Sequence, residues 1–100
     1  MSRRLEFHPA AEAEVLEAEA WYADRSAVVA RAFVQEVNLV VERVMEAPER
    51  WPLFEQDTRR IVFPRFPFGL IYRIRPELVE VVAVAHQSRR PSYWKSRSTK

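Results

Sequence analysis

Residues 68–86 read FGLIYRIRPELVEVVAVAH. The first half alternates: Phe68, Leu70, Tyr72 and Ile74 fall on one side, and Gly69, Ile71, Arg73 and Arg75 on the other. That is the period of a strand with one face on a core. Pro76-Glu77 has the length and chemistry of a two-residue turn. Leu78 to Ala85 is almost continuously apolar, as expected for a strand covered on both faces. The stretch therefore predicts an antiparallel hairpin whose second strand is central. With a two-residue turn, Arg75 lies opposite Leu78 and Arg73 opposite Glu80, an opposite-charge cross-strand pair. Continued alternation through Val82 and Val84 puts His86 on that same face, with Arg73 and Glu80. A slip of one residue would reverse this assignment.

Working outward, residues 60–63 form a short strand, and Pro64 and Pro67 mark a bend or an edge. Residues 48–58 (PERWPLFEQDT) are a loop, with Trp51, Leu53 and Phe54 expected to tuck under the sheet. Before it, residues 27–47 carry Val29, Phe33, Val37, Val40 and Val44 as a helical apolar stripe. Ser26 is the predicted N-cap and Pro48 the stop. Residues 10–24 form a first helix opened by Pro9, with Ala11, Val15, Ala18 and Tyr22 inward. Glu12, Glu14, Glu17 and Glu19 are expected to face water. Two helices joined this tightly form an antiparallel hairpin. Residues 3–7 alternate as a first strand. The order is β-α-α-β-β-β, an α+β fold with a helical hairpin on a mostly antiparallel sheet, in one domain over residues 1–100.

Composition excludes several function classes. The 100 residues contain no cysteine, which removes disulfides, thiolate metal sites and a cysteine nucleophile. One glycine, Gly69, cannot build a P-loop or a dinucleotide fingerprint. Two histidines make a metal site improbable, so no metal and no cofactor are expected. No apolar run is long enough for a membrane span, and no secretory signal opens the chain. A cytoplasmic location is the expectation. Net charge is +2, but residues 1–50 carry six Arg against ten acids, and residues 51–100 carry ten Lys/Arg against four. A second half at +6 suggests a polyanion or an acidic partner. The basic residues are fourteen Arg and two Lys, and Arg suits bidentate contact with phosphate or carboxylate.

Polar chemistry concentrates after the central strand, in HQSRRPSYWKSR, residues 86–97. A histidine, paired arginines and an aromatic pair sit just past a fixed strand end, with no acidic residue among them. Such a group can grip a polyanion, act on it, or dock a partner.

Three segments carry a resemblance to a known family: the helical hairpin ending in MEAPERWP, the strand pair RRIVFPRFPFGLIYRI, and VEVVAVAHQSRRPSYW. In order, spacing and length the chain resembles the RelE/ParE superfamily of type II toxin–antitoxin toxins, nearest its ParE-like and plasmid-stabilisation members. The resemblance implies a growth-inhibiting toxin held in a hetero-oligomer by a partly disordered cognate antitoxin. One branch of the superfamily cleaves mRNA on the ribosome, and the other poisons DNA gyrase. The ribonuclease branch usually places an Arg where Gly69 stands here, and lysines on the preceding strand, where Arg60 is the nearest basic residue. His86, Arg89 and Tyr93 match residue types of that branch.

Two activities follow. In a metal-free ribonuclease, His86 would be the base or acid, and Arg89 with Arg60 or Arg73 would stabilise the phosphorane. Tyr93 would donate a proton or stack on a base, with Glu80 an alternative base. In a non-enzymatic binder, Arg89, Arg90, Trp94, Lys95 and Arg97 would form the docking surface for gyrase, another target or the antitoxin. Antitoxin binding is expected to reduce access to Arg89 and Arg90.

Overall fold

The computed structural model describes residues 3–98. The elements are β1 (Arg4–Phe7), α1 (Pro9–Ala23), α2 (Ala27–Glu46), β2 (Thr58–Val62), β3 (Phe68–Ile74) and β4 (Leu78–His86), followed by one 3₁₀ turn, Lys95–Ser98. The order is the one predicted. The sheet runs β1-β4-β3-β2, and only the β1–β4 pair is parallel. Among the described residues no helix is long and apolar enough to cross a membrane.

Local chemistry sets the helix limits. Pro9 opens α1, and the Nδ1 of His8 accepts the Ala10 amide at 3.0 Å. Ser26 caps α2 by accepting the Val29 amide at 3.2 Å, as expected from sequence. The main core lies between the hairpin and one sheet face. It unites Ala11, Phe33, Val37, Val40 and Val44 with Phe68, Leu70, Tyr72, Val79, Val81 and Val84. The predicted face of β3 is the observed one. Val29 is the exception in the α2 stripe: it lies exposed near the start of the helix. Trp51 packs against the core, but Leu53 and Phe54 are exposed, which corrects their expected place under the sheet.

A smaller cluster covers part of the opposite face: Ile71, Val82, Ala83 and Trp94, with Ala85 and Tyr93 against it. The two faces are linked by an irregularity that alternation did not reveal. Tyr72 pairs with Val81 but Ile71 pairs with Ala83, so Val82 is an extra residue in β4. Such a bulge reverses the inside–outside pattern beyond it. Val81 and Val84 both enter the main core, and Val82 and Ala83 both face outward. His86 consequently lies on the helix side, opposite Phe68, with ring centroids 5.0 Å apart. The expected grouping of His86 with Arg73 and Glu80 is therefore corrected. The Arg73–Glu80 register itself is as predicted.

Candidate functional site

The segment after β4 does not hang free. It turns at Ser92, whose φ of 63° is in the left-handed region, and runs back across the outer sheet face. Trp94 is its anchor, 2% exposed in the outer cluster and 6.2 Å from the Phe54 ring. Two carboxylates fasten the segment on either side. Glu55 accepts the Ser92 hydroxyl and lies 3.5 Å from the Lys95 ammonium. The Ser92 hydrogen bond is the main cause of a lowered Glu55 pKa, helped by Lys95 and opposed by desolvation.

The second carboxylate is Glu14 of α1. Its side chain is 10% exposed, against the expectation of a solvated glutamate face. Oε1 accepts the Val84 amide at 2.9 Å. Oε2 accepts the Tyr93 hydroxyl at 2.6 Å and Arg97 Nη2 at 2.9 Å, and lies 3.8 Å from Arg89 Nη1. The other end of the Arg97 guanidinium donates to the Val82 carbonyl at 3.2 Å. The Arg89 guanidinium lies 3.8 Å from the Tyr93 ring centroid, and that of Arg97 lies 5.0 Å away. Burial, then the hydrogen bond and charge of Glu14, push the Tyr93 hydroxyl well up, against the opposing charges of Arg97 and Arg89. The phenol therefore stays protonated near neutral pH and keeps donating to Glu14. Glu14 stands three residues after Ala11 and four before Ala18, on the inward side of α1. That spacing was the available signal for its burial.

The structure scatters the remaining candidates. Arg73 is buried on the outer face, 2.9 Å from Asp57 in the loop before β2. Arg60 lies across Gly69, where an added Cβ would meet its Nε at 3.1 Å. The Arg60 guanidinium thus occupies the space left by the missing side chain. His86 accepts the Ser88 amide on Nδ1 at 3.0 Å, which leaves Nε2 as the ring nitrogen available to other groups. Arg89 and Arg90 are exposed cations at the start of the segment. Trp94 and Arg97, expected on a docking surface, are instead held against the domain, and Lys95 is exposed but paired.

Two concavities meet at His86 and Arg89. A cleft of about 150 Å³ on the outer face brings together Phe54, Arg60, Gly69, His86, Arg89 and Arg90. A groove of about 590 Å³ beside α1 is lined by Glu14, Trp21, Tyr22, Phe68, His86 and Arg89, among others. No group of three or more His, Asp or Glu among the described residues could hold a metal ion.

Comparison with known proteins agrees with this architecture. Residues 5–91 match the family of the ParE toxin of the type II toxin–antitoxin system, parDE. Toxin ParE2 of Mycobacterium tuberculosis, found in two strains, is 32% identical over 94 residues, covering 92% of this chain and 89% of the relative. A structure of the chromosomal ParDE toxin–antitoxin system from P. aeruginosa superposes with a TM-score of 0.74 at 16% identity, over 85% of this chain and 96% of the other. An arginine double mutant of the E. coli toxin RelE in the free state gives 0.65 at 19% identity, over 98% of this chain and 95% of the other. These last two show a shared fold. With its matched residues and its relatives taken together, the chain belongs to the ParE toxin family of type II toxin–antitoxin systems.

Proposed function

We propose that this toxin arrests growth by docking on DNA gyrase through the exposed Arg89–Arg90 end of its fastened segment, and that a cognate antitoxin neutralises it by covering that end. The observation that carries this reading is the engagement of the groups a ribonuclease would need. Tyr93 donates to Glu14, Arg73 is buried beside Asp57, and position 69 has no side chain. General acid–base work needs groups within reach of one scissile phosphate, whereas a docking surface needs exposed, rigidly presented cations and anchors. Arg89 and Arg90 meet the second requirement. The anchoring of Trp94, Lys95 and Arg97 nearby supplies the rigidity.

A ribosome-dependent mRNA endonuclease is the second reading, favoured by one feature: the outer cleft gathers Arg60, His86, Arg89 and Arg90. Brief induction in cells, scored in parallel for mRNA cleavage and for cleaved gyrase–DNA complexes, separates the two. Docking predicts gyrase–DNA complexes, intact mRNA, loss of arrest in Arg89→Ala and retention in His86→Ala. Cleaved mRNA that disappears in His86→Ala would establish the endonuclease instead.

A further inference from the structure

The docking reading uses the arginines of residues 86–97 for contact and gives Ser92 only a fastening role. The sequence around that serine is distinctive. Of the serines in the chain, only Ser92 follows two arginines, in Arg89-Arg90-Pro91-Ser92. Arg89, Arg90 and Pro91 are exposed, and Ser92 forms the turn that follows them. Its hydroxyl donates to Glu55 on the protein surface, where the Glu55 and Lys95 side chains are 38% and 50% exposed. A nucleophilic hydroxyl thus sits behind a pair of accessible cations. Charge patterns of this kind are what kinases read in their substrates.

The surroundings are built to receive an anion at the same point. Ser92 lines the outer cleft with Arg60, Arg89 and Arg90. The Arg60 guanidinium lies across Gly69 and 5.6 Å from the Phe54 ring centroid, on the other wall. The cleft of about 150 Å³ has room for a phosphoryl group, where a water takes about 30 Å³. The acid among its lining residues is Glu55, whose lowered pKa keeps it ionised at neutral pH.

We propose that Ser92 is a phosphorylation site for a serine kinase directed to basic sequences, and that its phosphate silences the docking end by engaging Arg60, Arg89 and Arg90 in the outer cleft. The donor is ATP. The Ser92 oxygen forms a bond to the γ-phosphorus, the bond from that phosphorus to the β-phosphate oxygen breaks, ADP leaves, and the hydroxyl proton passes to the kinase's base. A phosphoserine carries about −1.5 to −2 charges. It has no hydroxyl proton for Glu55 and repels that carboxylate, so the Ser92–Glu55 tie is lost. The arginines it gains are the ones the docking surface needs. The site stands on Ser92 and its cleft; its effect on the target rests on the docking reading.

The test starts from purified folded toxin and ATP, with either a purified serine kinase selective for Arg-Arg-X-Ser or an extract of the toxin's own host. Fragment mass spectrometry is expected to place the phosphate on Ser92 with both kinase sources, in preference to Ser88 and Ser96, and to find none there in Ser92→Ala. Modification by neither source, or by the purified kinase alone, overturns the proposal and leaves docking intact. The phosphorus NMR signal of the modified toxin should titrate below the ordinary value of about 6, because the arginines favour the dianion more than Glu55 opposes it. Arg60→Ala and Arg90→Ala should each move the titration back up. An ordinary titration that neither variant changes overturns the arginine engagement. Phosphate is expected to weaken inhibition of gyrase supercoiling by about ten-fold or more. Undiminished inhibition with a lowered titration overturns docking through these arginines. Unmodified toxin that leaves supercoiling untouched overturns the gyrase reading and the silencing with it, while the phosphorus titration still judges the site.

Discussion

Glu14 and Glu36 are both helical glutamates with nearly inaccessible carboxylates, yet they hold different things. Glu36 of α2, 2% exposed at its side chain, accepts the Arg65 amide at 2.8 Å, the Phe66 amide at 3.0 Å and Arg65 Nε at 3.2 Å. Its partners all lie in the turn between β2 and β3, so it ties the edge hairpin to the helices. Glu14 instead accepts one β4 amide and two side chains of the segment after the sheet. The first carboxylate secures the fold. The second fastens the segment after β4, the docking end in the function proposed above, and its contacts lie nearer the surface. A buried charge is tolerated in both places because nearly every lone pair is used.

The difference should be visible in variants. Glu36→Ala leaves two backbone amides and a guanidinium without their acceptor, a loss of about 2–4 kcal/mol. For a domain of this size that lowers Tm by roughly 10–20 °C in a thermal melt. Glu14→Ala removes contacts closer to water and is expected to cost about 1–2 kcal/mol, with faster exchange confined to Val84 and residues 92–97. Equal destabilisation by both, or global exchange in Glu14→Ala, would erase the distinction.

Acid sharpens it further. Burial pushes the Glu36 carboxyl up, but the Arg65 and Phe66 amides and the Arg65 guanidinium outweigh burial, so its pKa is lowered from 4.5. A lowered folded pKa gives stability that is present above the unfolded value and lost as pH falls through the folded one. Wild type and Glu36→Gln should therefore differ in Tm at neutral pH and converge in strong acid.

The smallest effect is alkaline. Burial pushes Tyr72 up to about 12, against the charges of Arg59 and Arg50, and its hydroxyl donates to the Pro48 carbonyl at 2.5 Å. Burial also raises Tyr22, and Tyr93 is raised by burial and Glu14. Raised folded values stabilise below the unfolded pKa and fade as pH climbs through the folded ones. Phenolate absorbance should lag behind free tyrosine near pH 10, the ordinary value. Replacing Tyr93 by Phe should remove one late-titrating group. Unshifted titration in the native protein would contradict the packing described.

Much of this was legible in the chain. The element order, the Ser26 cap, the faces of β3 and the Arg73–Glu80 register followed from period and turn chemistry. The Val82 bulge did not, because a run of Val and Ala satisfies either face and carries no glycine to mark the break. That one residue moved His86 to the helix side. Glu36 follows Phe33 and precedes Val37 and Val40 on the α2 stripe, so its position hinted at burial, but its partners lie 29 and 30 residues away. Trp94 and Arg97 looked like docking groups because the sequence shows their chemistry and not the two carboxylates that hold the segment down.

If the proposed docking reading holds, Glu14 fastens the docking segment without being needed for the fold. The most direct measurement is growth arrest by Glu14→Ala, compared with wild type at equal amounts of folded protein. The expected result is arrest weakened at least ten-fold while the melt stays cooperative and the core amides stay protected. Undiminished arrest by a variant whose segment has lost its protection would contradict the claim.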